Sequence, residues 1–208
     1  MTGHHEMAAG DQDGDAVTWP RLPMPEHADL SPRQREIYDR LVAYFGAPVG
    51  PRLPLLFTPD LFDPWAALGG ALTAGALPPR LREVAILTTA RFWGASFAWA
   101  VHEQRALAAG VGPETIEEIR WGRSPGATPA DEQAVHAYCT ELLTHHRVQD
   151  ETYQLIRDLL GVAQQVELTV LVGHYTNVSL TLVAHDAPVP EAIGARLPDL
   201  PCQEADQP

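Results

Sequence analysis

His102 lies in a segment built almost entirely of aromatic and very small side chains, residues 92–112, which reads FWGASFAWAVHEQRALAAGVG. Helical spacing places Trp99, Ala98 and Ala95 on the same face as this imidazole, three, four and seven positions earlier. A histidine above two alanines and beside an indole borders a small gap, which either a neighbouring helix or a ligand fills. Two interpretations stay open: a hydrogen-bonded core histidine, and a base at a binding cavity.

Glu83 is the second group whose position points to chemistry. The segment LREVAIL places its carboxyl in a predicted helix that is apolar nearly all round. A buried carboxyl must find hydrogen-bond donors or become protonated. The donors are either Arg80 or Arg82, or groups on a facing helix, and the alternative is a role at a site.

A polar stripe on the longest predicted helix, residues 162–185, is the third feature. Glu167, His174 and Thr181 recur seven positions apart, and Tyr175 follows His174. Such a stripe commonly satisfies facing helices, and the alternative is a site role for His174 and Tyr175. The pentapeptide HEQRA is not the zinc-binding HExxH motif, because it lacks the second histidine, and we predict no metal site.

The composition indicates a single soluble domain that binds neither nucleic acid nor membranes. The chain has 208 residues, a net charge of −13, no apolar run of membrane-spanning length and no basic, apolar leader, so a cytoplasmic location is expected. Its two cysteines, Cys139 and Cys202, form no recognisable redox or metal motif. We predict a disordered acidic tail over 1–25, a helical domain over 26–191 and a loose C-terminal tail over 192–208. The helical periodicity predicts an all-α fold of about seven or eight helices.

The order of four segments resembles the carboxymuconolactone decarboxylase family, which shares its fold with alkylhydroperoxidase D. These segments are PPRLREVAILTTARFWGASFAWAVHEQRALAAGV, DEQAVHAYCTELL, VQDETYQLIRDLLG and VELTVLVGHYTNVSLTLVAHDAPVPE. The resemblance covers 30–191. It implies an alkylhydroperoxidase D-like helical bundle that forms homo-oligomers, trimers or hexamers, with sites near the subunit boundaries.

The resemblance also assigns roles to single positions. In the peroxidase branch of the family, a glutamate, two cysteines and a histidine form a proton-relayed dithiol, and the glutamate and histidine match Glu83 and His102. The cysteine positions match Ala95 and Ala98, so peroxidase activity is excluded at this site, because a methyl group does no redox chemistry. Ser96 and Ala98 stand where non-redox relatives often carry carboxylates, which disfavours decarboxylation of the family's multiply charged lactone.

These observations predict a cofactor-independent enzyme that acts by acid–base catalysis on a largely apolar carbonyl or polyketide-like small molecule, as in secondary metabolism. A lyase or isomerase is expected, of the decarboxylase, dehydratase, isomerase or cyclase type. Burial would lower the pKa of an imidazole and raise that of a carboxylic acid, so His102 is predicted as the base and Glu83 as its orienting partner or acid. The predicted substrate-binding residues are Phe92, Trp93, Phe97, Ala98, Trp99, His174 and Tyr175. The alternative is a non-catalytic ligand-binding or assembly protein on the same fold.

Overall fold

The computed structural model describes residues 19–46, 49–126, 128–194 and 196–200, and within these ranges it contains helices and no strand. This confirms the predicted all-α class, with seven α-helices in the described ranges. They are α1 (Pro32–Phe45), α2 (Phe62–Thr73), α3 (Pro79–Phe92), α4 (Ser96–Ala108), α5 (Pro113–Arg120), α6 (Ala130–His145) and α7 (Asp150–Ala184). No helix in these ranges has both the length and the apolar character needed to cross a bilayer.

Local sequence signals set several helix ends. Ser31 and Gln34 form a reciprocal capping box at the start of α1, as their spacing predicts. Proline occupies the first position of α3 and of α5, where the missing N–H costs nothing. Gly161 interrupts α7 with φ 74° and ψ 171°, a backbone conformation that favours glycine. The helix therefore consists of two stretches, which explains why the predicted longest helix begins only at residue 162.

Helix α3 forms the centre of the molecule and packs against α4, α6 and α7. It is buried on nearly all sides, and its apolar residues Val84, Ala85 and Leu87 have no exposed surface. A helix that is apolar all round is stable only in such a position. Its few polar side chains, Glu83 among them, therefore have to find partners on the helices that surround it.

Both predicted tails need correction where the structure describes them. Trp19 is 3% exposed and belongs to the hydrophobic core, so the ordered chain begins before residue 26. At the other end, the Leu197 N–H donates to Ser96 Oγ at 3.2 Å and Arg91 Nη1 donates to the Pro198 carbonyl at 2.8 Å. These contacts hold residues 196–200 against α3 and α4. Residues 1–18 and 201–208 lie outside the described ranges.

Candidate active site

His102 receives its two hydrogen-bond partners from helices other than its own. Glu83 Oε2 of α3 lies 2.7 Å from its Nδ1, and the Tyr175 hydroxyl of α7 lies 3.1 Å from its Nε2. Neither nitrogen is bound to the main chain. The alanines on α4 therefore leave room for partners that arrive from 19 and 73 residues away.

The chemistry of the two partners defines the proton positions along this series. A carboxylate only accepts hydrogen bonds, so Nδ1 of His102 carries the proton and donates to Glu83. Nε2 then accepts from the Tyr175 O–H. Burial lowers the pKa of His102, although the bond to Glu83 opposes this, and burial raises the pKa of Tyr175. At neutral pH the series consists of a neutral imidazole and a protonated phenol.

Glu83 faces a cation as well as the imidazole. Arg82 Nε lies 3.8 Å from Glu83 Oε1, and Arg82 Nη1 donates to the Thr73 carbonyl at 2.9 Å. Arg80, the other arginine considered as a partner, instead pairs with Asp131 and Glu132 of α6. Glu83 is thus an acceptor in both of its contacts. Of the two roles that the sequence leaves open, the orienting partner fits these contacts.

A cavity of about 130 Å³ adjoins His102 and Tyr175. Helices α2, α4 and α7 each line the cavity with side chains that lie about one turn apart on one face of the helix. Helix α1 and the loop at residues 51–52 line the remaining side. The lining consists of Tyr44, Pro51 and Arg52; Trp65, Gly69 and Thr73 of α2; Phe97, Ala98, Val101, His102 and Arg105 of α4; and His174, Tyr175, Val178 and Leu182 of α7.

A second cavity of about 440 Å³ adjoins the first. It shares His102, Arg105 and Tyr175 with the first cavity and extends to Arg82 and Glu83. The whole hydrogen-bonded series from carboxylate to phenol therefore borders space that a small molecule or water can enter.

The close approach of α2 to His174 of α7 occurs at Gly69. A Cβ atom at this position would lie 3.1 Å from His174 Nε2, a tight contact that would push the imidazole away from its present position. Trp65, one turn earlier, packs its ring 5.1 Å from that of His174 and donates from its indole to Asn177 Oδ1. Burial lowers the pKa of His174, and the nearby Arg52 lowers it further, so His174 faces the cavity as a neutral ring.

Four of the predicted substrate-binding residues line the first cavity, namely Phe97, Ala98, His174 and Tyr175. Three others do not, and this part of the prediction needs correction. Phe92 lies at the end of α3 and is 44% exposed. The indole of Trp93 donates a hydrogen bond to Thr176 Oγ1. Trp99 is fully buried.

Trp99 misses the cavity because of the helical period. The face of α4 that lines the cavity carries residues 98, 101, 102 and 105, and position 99 lies 100° away from position 98. Its indole instead donates to Glu103, and the guanidinium of Arg120 lies 5.0 Å from its ring. The aromatic wall expected around His102 is therefore smaller than the sequence suggested.

Arg52 and Arg105 line the cavity but are absent from the residues predicted from the sequence. Arg105 follows His102 by one turn and shares its face, so its spacing was a usable signal. Trp65, Gly69 and Thr73 recur four apart on α2, another signal of a shared face. Arg52 comes from the proline-rich loop before α2, where no periodicity exists to reveal it.

The remaining residues of interest lie elsewhere. Glu167 accepts from the N–H groups of Ala76 and Leu77, so it holds the α2–α3 connection. Thr181 donates to the Asn177 carbonyl of its own helix. Cys139 is fully buried in α6, where burial raises the pKa of its thiol. Nowhere in the described ranges do three or more His, Cys, Asp or Glu side chains come together as metal ligands would.

Comparison with solved structures defines the fold class. The chain superposes with a TM-score of 0.67 on a crystal structure from Ralstonia eutropha JMP134, described as an alkylhydroperoxidase AhpD core and an uncharacterized peroxidase-related protein. The two sequences are 16% identical, and the match covers 83% of this chain and 93% of that one. The predicted alkylhydroperoxidase D-like fold is thereby confirmed.

The family assignment rests on a shorter segment. Residues 59–138 match the carboxymuconolactone decarboxylase family, and no curated protein sequence matches the chain. This is the family that the sequence motifs resemble, and the match spans less than half of the chain. The matched segment contains Glu83 and His102, whereas Arg52, His174 and Tyr175 lie outside it.

Proposed function

We propose that this protein is a cofactor-independent acid–base enzyme in which Glu83, His102 and Tyr175 move a proton to and from a carbonyl substrate. The observation that supports this most directly is the position of the His102 imidazole. It is buried between a carboxylate and a phenol at the edge of a cavity. A buried neutral imidazole with an oriented tautomer is the usual form of a general base.

The proposed reaction begins when a substrate oxygen takes the place of His102 as acceptor for the Tyr175 O–H. This frees the lone pair on Nε2, which then removes a proton from the carbon next to the substrate carbonyl. The electron pair of the broken C–H bond forms an enolate, and its oxygen accepts the hydrogen bond from Tyr175. Glu83 stabilises the imidazolium that results, and return of the proton to another atom completes an isomerisation or elimination. Proton transfer of this kind contributes about 10²–10⁴-fold to a rate.

The lining residues argue against dithiol peroxidase chemistry for this cavity. Ala95 and Ala98 carry no sulfur, and Cys139, the one cysteine in the described ranges, does not line the cavity. A thiol whose pKa is raised by burial is a poor nucleophile, because the thiolate is the reactive form. The lyase or isomerase activity that we propose needs no thiol.

The size of the first cavity limits the substrate. A cavity of about 130 Å³ is close to the roughly 150 Å³ in which an engineered apolar site binds benzene. One six-membered ring therefore fits beside His102, and a larger polyketide-like molecule would have to extend into the second cavity. Trp65, Phe97 and Leu182 offer the apolar contacts for such a ring.

Homo-oligomer formation, as trimers or hexamers, is part of the proposal. The supporting feature is a row of exposed apolar side chains on the stretch of α7 that follows Gly161, at Val162, Val166 and Val170. Their spacing of four residues places them on one side of that stretch. A contiguous exposed apolar patch of this kind usually marks a surface that binds another protein.

The test combines two NMR measurements on a series of ring ketones. Binding is detected by shifts of the imidazole signals of His102. Proton exchange is measured as the uptake of deuterium by the ketone in D₂O. We expect a ring ketone that shifts these signals to exchange the protons next to its carbonyl faster than in buffer. His102→Gln should abolish the acceleration and Tyr175→Phe should reduce it at least tenfold, while His145→Gln, on the exposed end of α6, should not change it. A ketone that binds beside His102 but exchanges at the buffer rate would refute the proposal and favour the ligand-binding alternative.

A further inference from the structure

Two arginines at the first cavity have no acidic partner. The chain has 14 arginines, no lysine and a net charge of −13, so acidic partners are plentiful. Within the described ranges seven of the fourteen arginines lie within 4.0 Å of a carboxylate, Arg33, Arg40 and Arg120 among them. In the described ranges no carboxylate lies that close to the guanidinium of Arg52 or Arg105.

The cavity itself supplies no negative charge. Its lining contains Arg52 and Arg105 but no aspartate or glutamate. Glu83 borders only the second cavity and is engaged by His102. The two arginines also act on the neighbouring imidazoles. Burial is the main cause of the lowered pKa of His102 and of His174; Arg105 adds to the lowering for His102, and Arg52 adds to it for His174.

The surroundings of Arg52 suit a planar anion. Its guanidinium carbon lies 5.7 Å from the Trp65 ring centre and 5.9 Å from that of Tyr44. Packing of this kind restrains the plane of a guanidinium while its edge keeps N–H donors for a ligand. Arg105 reaches the same cavity from α4, one turn beyond His102. A carboxylate matches the fork of donors that an arginine presents.

We infer that Arg52 and Arg105 form an anion-binding subsite and that the substrate is a ring carbonyl compound bearing one carboxylate. This rests on the proposed function and differs from the expectation of a largely apolar substrate by adding one charged group. A neutral ligand of the same shape would leave both guanidinium groups without an acidic partner. A carboxylate compensates them and fixes the orientation of the ring, so that its carbonyl end faces His102 and Tyr175.

The experiment compares 3-oxocyclohexane-1-carboxylate with its neutral carboxamide, which has nearly the same shape. Dissociation constants are measured by NMR titration for the wild type and for Arg52→Gln, Arg105→Gln and, as a control, Arg157→Gln. Arg157 is exposed on α7 and, like the other two, has no ion pair in the described ranges. We expect the wild type and the control to prefer the carboxylate by roughly ten- to hundredfold. Each of the two cavity variants should lose most of that preference.

Equal affinity for the two probes in the wild type, including failure of both to bind at millimolar concentration, would overturn the inference. So would a preference that survives in both cavity variants. His102→Gln separates this outcome from failure of the proposed function. If the carboxylate preference persists in that variant and the wild type does not accelerate deuterium uptake, the anion subsite stands and the acid–base role fails.

Discussion

His136, which does not line either cavity, makes the stability of this protein depend on pH. Its side chain is buried in α6, its Nδ1 has no hydrogen-bond partner in the described part of the chain, and burial lowers its pKa to about 4 from the ordinary 6.5. Because the native pKa is the lower one, the unfolded chain takes up the proton first as the pH falls. The stabilisation is therefore complete above pH 6.5 and is lost as the pH falls toward 4.

The magnitude follows from the two pKa values. A native pKa of about 4 against 6.5 in the unfolded chain corresponds to about 3 kcal/mol at full effect, and to roughly 2 kcal/mol between pH 7 and pH 5. His136→Leu removes the titrating group and keeps the site filled by an apolar side chain. We expect this variant to lose about 2 kcal/mol less stability than the wild type between these two pH values, whatever its stability at pH 7.

Urea denaturation at pH 7, 6 and 5 measures this difference, because the free energy of unfolding extrapolates linearly to water. His136→Gln serves as a second non-titrating variant, and His145→Gln, which alters an exposed histidine of the same helix, serves as the control. The control should follow the wild type at every pH. Parallel curves for the wild type and both His136 variants would show that the imidazole does not remain neutral inside the native protein.

Two further predictions concern α7. Glu167→Ala leaves the N–H groups of Ala76 and Leu77 without their acceptor, so it should lower the free energy of unfolding in urea by about 1–3 kcal/mol, with partial recovery in Glu167→Gln. An Ala variant as stable as the wild type would contradict the role of Glu167 in holding the α2–α3 connection. Val166→Glu places a charge on the exposed apolar row and should reduce the molar mass measured by light scattering to that of one chain. An unchanged oligomer in this variant would mean that the subunits meet elsewhere.

The helices, their ends and the unusual positions of Glu83 and His102 were predictable, because each depends on residues close by in the sequence. The capping box at Ser31 and the break at Gly161 involve residues within one or two turns, and local periodicity reports such features directly. Glu83 was recognisable as unusual because a carboxyl in an apolar helix must find a partner. His102 was recognisable because its own helix offers it none.

Which residues complete the site was decided by the packing of helices distant in the chain. Tyr175 reaches His102 across 73 positions, and Arg52 comes from a loop with no period to interpret. Trp99 adjoins the lining residue Ala98 in sequence but points away, because a single step along a helix rotates a side chain by 100°. Spacing along one helix shows which side chains share a face. Only the arrangement of α2, α4 and α7 determines what that face meets, and here it meets a cavity with two cations and no acid.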